Sequence, residues 1–294
     1  MTTIAALPKA ELHCHIEGAM APALTRAIAA RNGVTLPAGL FSGQSGYAWR
    51  DFGEFLVAYD AAADAMRTAE DYGELMYGYL ANCAAEGAIY VEMFVSPDHA
   101  IAIGLGFAAQ LAGLADAIAR AEAAFGIVSR LIPCCIRHLG PDRALEIARL
   151  VAAERHPYIV GFGMAGDELQ HAPADFAPAF RVADNAGLAC TVHAGEVAGA
   201  HSVRDAIAAL PVRRIGHGVR AIEDPALVAE LARRGVVLEV CPGSNLALGL
   251  YPDAVSHPLR RLLEAGCRVT LNSDDPAFFA TSIGNEYAMA SSRM

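Results

Sequence analysis

Eight short apolar runs, separated by segments of helical spacing, constrain the fold of this 294-residue chain more than any other feature. Segments with apolar residues at helical spacing lie between most of the runs, for example at 141–154 and 174–187. The runs predict strands near 10–14, 88–95, 127–135, 158–164, 188–193, 213–216, 236–241 and 268–273. Strands that alternate with helices form a parallel sheet, and eight such units predict a (β/α)₈ TIM barrel in one domain, residues 1–294.

Both ends of this pattern depart from a minimal barrel. The interval of roughly 16–87 after the first strand is too long for one crossover, and it predicts a helical insertion around the Gly-rich segment 41–49 that can cap the barrel mouth. Only about twenty residues follow the last predicted strand. We therefore expect short or truncated C-terminal helices, with an apolar surface beside the first and last strands that is exposed or covered by a partner subunit.

Charge and apolar content indicate which partners to exclude. The net charge of −10 and the pI near 5.4 argue against a nucleic-acid partner. No apolar run approaches the roughly 18 residues of a membrane span, and the amino terminus lacks the basic and apolar regions of a signal peptide. We expect a cytoplasmic protein that acts on a small molecule. Its seven cysteines, an odd number without CxxC spacing, are expected to be buried free thiols.

Histidines and aspartates stand at the carboxyl ends of the predicted strands. They are His13 and His15 at the end of the first strand, His193 at the end of the fifth, His217 at the end of the sixth, and Asp274 and Asp275 at the end of the eighth. Residues i and i+2 of a strand point to the same side, so both imidazoles of the HxH pair can face one metal. Any one of these residues alone could be a core or turn residue. Together, at the face where TIM barrels collect catalytic groups, they predict an active site.

Three histidines and a carboxylate suit zinc or another borderline divalent cation. A binuclear site on this scaffold would need a bridging carboxylated lysine, but the only lysine is Lys9, before the first predicted strand, which favours a single metal. A bound metal would lower the pKa of a water molecule toward neutrality. Glu196, three residues beyond His193, could then donate a proton to a heterocycle, although a salt bridge is the alternative role for this residue.

Seven segments resemble those of the adenosine and adenine deaminase family of the amidohydrolase superfamily, and the chain looks closest to the adenosine deaminases. The segments, in the family's order and spacing, are PKAELHCHIEG, GAIYVEMFVSP, GFGMAGDE, TVHAGE, RIGHGVR, CPGSN and LNSDDP. The resemblance extends over nearly the whole chain. It implies hydrolytic removal of the amino group from C6 of a 6-aminopurine.

The resemblance also implies a role for each site residue. The implied zinc ligands, for one Zn²⁺ per chain, are His13, His15, His193 and Asp274. Glu196 would protonate purine N1, and His217 would orient and deprotonate the attacking water. The implied substrate contacts are Asp275 with purine N7, the backbone of Gly166 with N3, and Glu17 with the ribose.

Two features of the sequence bear on the substrate, and they conflict. The segment 165–168, AGDE, is similar to that of adenosine deaminases, whereas adenine deaminases tend to carry Ser-Ser-Glu there. Glu17 stands where adenosine deaminases have Asp and adenine deaminases often have Glu. Because the first feature lies at the purine itself, we expect adenosine and 2′-deoxyadenosine as substrates in purine salvage, with adenine or another 6-aminopurine compound as the alternative.

Two further alternatives remain open at this point. The chain could be a catalytically silent family member that binds or signals, although it retains every residue of the implied site. It could also be a hydrolase of cyclic amides that uses the same metal site. The HxE and PCxxC signature of polynucleotide deaminases does not occur in the expected arrangement, which argues against an editing enzyme.

Overall fold

Eight parallel strands form the centre of the computed structural model, which describes residues 4–294. Each strand pairs with the next along the chain, and the predicted TIM barrel is confirmed. The strands are β1 Lys9–His15, β2 Ala88–Val95, β3 Val128–Ile136, β4 Gly161–Ala165, β5 Ala189–Ala194, β6 Val212–His217, β7 Val237–Val240 and β8 Arg268–Leu271. All eight overlap the apolar runs of the sequence.

Helices connect these strands and bury their apolar sides against the barrel. They are α1 Pro22–Asn32, α2 Phe52–Ala63, α3 Ala69–Ala85, α4 Pro97–Ala102, α5 Phe107–Phe125, α6 Pro141–Ala153, α7 Ala177–Asn185, α8 Ala200–Ala209, α9 Pro225–Arg234, α10 Pro242–Ala247, α11 Leu259–Glu264 and α12 Ile283–Arg293. Short 3₁₀ turns lie at Ile4–Ala6, Glu17–Ala19, Arg137–Leu139, Pro173–Phe176 and Val219–Glu223.

The ends of α9 show how local sequence sets the boundaries of an element. The Asp224 side chain accepts hydrogen bonds from the amides of Ala226 and Leu227 at 3.0 and 3.2 Å, and Pro225 occupies the first helical position. Gly235 ends the helix at a φ of 67°, a left-handed conformation in which glycine carries no Cβ penalty. The chain then enters β7 directly.

The seam between β1 and β8 is closed beyond the end of β8. The Asn272 side chain accepts a hydrogen bond from the amide of Leu12 at 2.8 Å, in place of a strand-to-strand bond. The amide of Asp274 donates to the carbonyl of His13 at 3.1 Å, and the amide of His15 donates to the carbonyl of Asp274 at 2.9 Å. This closure fixes Asp274 beside the two histidines of β1.

The insertion after β1 covers the barrel mouth, as its length predicts. It contains α1 to α3 and a small hairpin, Phe41–Ser42 with Gly46–Tyr47. The Tyr47 ring stacks on Phe278, which follows β8, with centroids 3.9 Å apart. Its hydroxyl donates to the carbonyl of Met20 at 2.7 Å. The insertion is thereby tied to segments that follow both β1 and β8.

One helix, α12, follows β8 within the described residues. Glu286 on α12 is buried and accepts a hydrogen bond from the amide of Gly243 at 3.0 Å, which joins α12 to the start of α10. The predicted apolar surface beside the first and last strands stays a prediction.

The seven cysteines are buried and free, as predicted. None of the described helices combines the length and the apolarity that a bilayer crossing requires.

Candidate active site

A cavity of about 320 Å³ opens at the carboxyl ends of the strands. All of the predicted site residues line it except His13, which is fully buried. Aromatic side chains of α2 and of the segment after β8 form part of its wall, namely Phe52, Phe55, Tyr59 and Phe279. The structure therefore brings the predicted residues of β1, β5, β6 and β8 to one place.

Four buried side chains of this cluster turn a nitrogen or oxygen atom toward one point. One ligand atom from each of His13, His15, His193 and Asp274 lies within 4.8 Å of the other three. The Nε2 atoms of His15 and His193 are 3.1 Å apart. Asp274 Oδ1 lies 3.3 Å from Nε2 of His13 and 3.5 Å from Nε2 of His15.

The hydrogen bonds behind the rings determine which nitrogens face this point. His193 Nδ1 lies 2.8 Å from the carbonyl oxygen of Met164, which can only accept, so Nδ1 carries the hydrogen and Nε2 a lone pair. His13 Nδ1 lies 2.9 Å from Glu239, and its Nε2 has no hydrogen-bond partner among the described residues. Imidazole lone pairs beside a carboxylate fit a divalent cation that prefers nitrogen and oxygen ligands.

A second group of possible ligands shares two members with the first. It consists of His13, His217, Cys241 and Asp274. The Cys241 thiol lies 3.4 Å from the carbonyl of Glu239 and is placed to donate to it. Only the first group explains the close approach of the His15 and His193 nitrogens, so we take that group as the candidate metal centre.

Glu239 holds the His13 ring from inside the barrel, and sequence reasoning missed it. It accepts a hydrogen bond from Thr191 at 3.1 Å, and its other oxygen lies 2.6 Å from Nε of Arg214. The sequence did contain a sign of this role, since Glu239 lies within the apolar run VVLEV. A carboxylate inside a barrel needs charged or polar partners, so a glutamate in such a run indicates a polar cluster. A carboxylate behind a histidine fixes the ring and its tautomer.

Two site residues at strand ends adopt the left-handed backbone conformation. His217 has a φ of 58° and Asp274 a φ of 64°. For residues other than glycine this conformation costs about 1–3 kcal/mol, and such strain clusters at functional sites. Both side chains line the cavity.

Two buried carboxyl groups, those of Glu196 and Asp275, face the cavity. Burial raises the pKa of Glu196 well above its usual range, and the charge of Asp274 raises it further. Burial and the same neighbour raise the pKa of Asp275, whose Oδ1 has no hydrogen-bond partner among the described residues. Protonated carboxyl groups can donate hydrogen bonds or protons to ring nitrogens. Glu196 Oε2 lies 3.6 Å from Nε2 of His217. Burial lowers the pKa of His217 to about 4, which argues against a charged pair as the role of Glu196.

Glu168 fixes the turn that carries Glu196, and it too was not recognised as a site residue. One of its oxygens accepts hydrogen bonds from the amides of Glu196, Val197 and Ala198 at 3.1, 2.9 and 2.9 Å. The other accepts from the amide of Gly195 and from a serine hydroxyl. Sequence proximity gave no signal, because Glu168 and Glu196 are 28 residues apart.

Glu17 lies at the junction of the barrel mouth and the insertion. Its side chain is 1% exposed and accepts hydrogen bonds from the amide of Ser96 and the hydroxyl of Tyr59, both at 3.2 Å. Burial raises its pKa, and the neighbouring His99 partly opposes this. Gly18 packs directly against Asp275, where a Cβ would overlap the carboxylate. Glu17 and Asp275 both line the cavity, and the charge of Glu17 contributes to the raised pKa of Asp275.

Gly166 follows β4 at a φ of 99°, which favours glycine. A Cβ on this residue would lie 2.9 Å from Nδ1 of His138. The backbone therefore passes close to the His138 ring at the cavity wall. The predicted contact of this backbone with purine N3 stays a prediction.

Comparison with known proteins gives the family. The family model described as "Adenosine deaminase" matches residues 8–294. An adenine deaminase of Sinorhizobium medicae (strain WSM419) is 52% identical over 288 residues, which cover 98% of this chain and 88% of the relative. An adenine deaminase of Rhizobium meliloti (strain 1021) is 52% identical over 284 residues, which cover 97% of this chain and 87% of the relative.

Solved structures agree with this result. The crystal structure of adenine deaminase from Arthrobacter aurescens has a TM-score of 0.88 at 33% identity, and the match covers 96% of this chain and 86% of that one. An amidohydrolase from Burkhoderia ambifaria, with bound Zn, has a TM-score of 0.89 at 30% identity, and the match covers 98% of this chain and 81% of that one. The chain therefore belongs to the adenosine deaminase family of the amidohydrolase superfamily and is a deaminase that hydrolyses C–N bonds.

Proposed function

We propose that this protein is a zinc-dependent adenine deaminase, which converts adenine and water to hypoxanthine and ammonia. Support comes from two relatives at 52% identity and a solved structure at 33% identity, all named adenine deaminases. The expectation of adenosine as substrate is not supported by these relatives, which favour the alternative stated with it. Of the two conflicting sequence features, Glu17 is the one that agrees with this proposal.

The observation that carries the proposal is the position of Glu17 beside Asp275. Free adenine has an N–H group in its five-membered ring at N9, and a nucleoside has a sugar there instead. We assign Asp275 to N7 and Glu17 to the N9 hydrogen, so that two neighbouring carboxyl groups bind the same edge of the purine. A sugar at N9 removes this hydrogen bond to Glu17 and crowds the Tyr59 side of the cavity, so it weakens binding.

The zinc site in this proposal consists of His13, His15, His193 and Asp274. Zinc is also the metal bound in the related Burkhoderia amidohydrolase structure. When bound, zinc supplies Lewis acidity that makes a water molecule a better nucleophile at neutral pH. The tight cluster of these four ligand atoms supports one ion per chain.

The remaining residues act on the purine. The protonated carboxyl of Glu196 donates its proton to ring nitrogen N1 as the oxygen of water adds to C6, which keeps negative charge from building up on the ring. Asp275 and Glu17 hold the five-membered ring, and the Gly166 backbone lies along the N3 side. Of the two protons of the water, one restores the carboxyl of Glu196 and the other leaves with the amino group as ammonia when the C6–N bond breaks, while the oxygen stays on C6.

Product analysis tests this proposal. We expect zinc-loaded protein to release one ammonia for each adenine consumed and to yield hypoxanthine as the purine product. The Glu196→Gln variant is the matched control for a contaminating deaminase, because it should retain the fold and lose most of the turnover. Absence of hypoxanthine formation by the zinc-loaded protein would contradict the proposed function. The cytoplasmic location and the lack of a nucleic-acid partner stay predictions.

A further inference from the structure

A line of three buried side chains runs behind the cavity wall and ends at His217. Asn245, on α10, has its Nδ2 atom 3.4 Å from Nδ1 of His217. His257, before α11, has its Nε2 atom 3.1 Å from Oδ1 of Asn245. All three residues are at most 3% exposed. Asn245 belongs to the segment CPGSN, and neither it nor His257 has a role in the site described above.

The direction of each hydrogen bond in this line follows from the protonation of His257, the residue farthest from His217. The backbone amide of Leu259 lies 3.2 Å from His257 Nδ1 and can only donate, so this nitrogen carries a lone pair. Burial lowers the pKa of His257 to about 4, so the ring is neutral at pH 7 and its hydrogen is on Nε2. His257 therefore donates to Asn245, and the oxygen of the Asn245 amide must face it.

The Asn245 amide then has only one orientation open to it. With its oxygen toward His257, its NH₂ group faces Nδ1 of His217 and donates to it. A ring nitrogen that accepts a hydrogen bond carries a lone pair, so a neutral His217 has its hydrogen on Nε2. That nitrogen lies 3.6 Å from Glu196 Oε2 and 3.9 Å from Asp274 Oδ2, on the side of the cavity.

We propose that Asn245 and His257 are positioning residues that hold His217 in the tautomer with its hydrogen on Nε2. His217 then donates a hydrogen bond to the oxygen of the attacking water and does not remove its proton. This differs from the expectation that His217 deprotonates the water. The catalytic part of this inference rests on the proposed function, whereas the tautomer does not.

The Asn245→Asp variant tests the line directly. The carboxylate has the shape of the amide but cannot donate to His217 Nδ1, so it should draw the hydrogen of the ring onto that nitrogen. A histidine held in the wrong tautomer can lose a factor on the order of 10⁴ in kcat, and we expect a loss of about 10³ to 10⁴ with KM for adenine changed less than about threefold. Zinc content and Tm should stay close to those of the wild type.

The tautomer itself is read by nitrogen NMR of zinc-loaded protein labelled with ¹⁵N-histidine, without substrate. The His217 signals are identified by their loss in His217→Gln. We expect Nδ1 to show the shift of an unprotonated nitrogen and Nε2 that of a protonated one, with the pattern reversed in Asn245→Asp. A hydrogen on Nδ1 in the wild type, or an unchanged pattern in Asn245→Asp, would overturn the proposal.

A pair of His257 variants keeps the test open if Asn245→Asp does not fold. His257→Gln retains a side-chain N–H that can reach Asn245 and should keep the wild-type tautomer and most of kcat. His257→Phe removes that donor and should show both tautomers and a lower kcat. Equal spectra and equal kcat in the two variants would overturn the role of His257. The wild-type protein could show the expected spectrum and yet not turn over adenine. That result would overturn the proposed substrate but not the tautomer.

Discussion

The Nε2 atoms of His15 and His193 lie 3.1 Å apart, although 178 residues separate the two histidines along the chain. One residue ends β1 and the other belongs to β5, the strand on the opposite side of an eight-stranded barrel. Both rings reach the axis from opposite walls, with Asp274 of the closing seam beside them. Two ring nitrogens at this separation can share at most one hydrogen, so the arrangement favours a bound cation.

We expect elemental analysis to find about one zinc ion per chain, and almost none in His15→Ala or Asp274→Ala. A tetrahedral site binds its ion much more weakly after losing a ligand, and deamination should be lost with the metal. His201→Ala, which removes an exposed histidine, is the control and should keep both metal and activity. Two metals per chain, or full activity in metal-free protein, would contradict the single-metal site.

Glu196→Gln is expected to lower kcat by on the order of 10² to 10⁴, because the amide has the shape of the acid but no acidic proton. Zinc content and Tm should change little, since the turn at 195–198 is held through its backbone by Glu168. Steady-state kinetics together with metal analysis separate these effects. Turnover near the wild-type rate would leave Glu196 with a structural role only.

Glu168→Gln is expected to lower the free energy of unfolding by about 1–3 kcal/mol, because its NH₂ group must face backbone amides that need an acceptor. The displaced turn should also lower kcat. Urea unfolding measures the first effect, with the exposed Glu122→Gln as the matched control. If both variants unfold at the same urea concentration, the hydrogen bonds of Glu168 do not stabilise the fold.

The barrel could be predicted from the sequence because apolar runs and helical spacing are local signals, and all eight strands lie near their predicted positions. The predicted ends of individual strands and helices were less accurate. The last strand was predicted over 268–273 but ends at Leu271, because Asn272 turns its side chain to β1 and Asp274 adopts the left-handed conformation. The predicted helix 174–187 begins instead with the 3₁₀ turn Pro173–Phe176.

The candidate site was predicted only in part, for a related reason. Histidines and aspartates at strand ends are visible in one sequence, since strand ends are local features. Glu168, Glu239 and Asn245 act on residues far away in the chain, through contacts that only the closed barrel creates. The spacing of residues in a single sequence therefore cannot predict those contacts.

Stability should depend on pH through Glu286. Burial raises its pKa from 4.5 to about 7, so the folded protein holds a proton that the unfolded chain has released. Its contribution is fully present below about pH 4.5 and is lost as the pH rises through about 7. Glu286→Gln, which never ionises, should therefore gain stability relative to the wild type between about pH 5 and pH 8.

Urea unfolding over this pH range measures the difference between the two proteins. Glu264→Gln, at an exposed position, should instead follow the wild type at every pH. Parallel curves for Glu286→Gln and the wild type would show that Glu286 is already ionised in the folded protein.

The ratio of kcat/KM for adenine to kcat/KM for adenosine tests the central claim most directly. If Glu17 binds the N9 hydrogen of the free base, adenosine lacks that hydrogen bond and its sugar crowds the Glu17 and Tyr59 side of the cavity. With zinc-loaded protein and the loss of the amino-purine absorbance as the signal, we predict a ratio of at least about 10² in favour of adenine. Equal values, or a preference for adenosine, would contradict the assignment of this protein as an adenine deaminase.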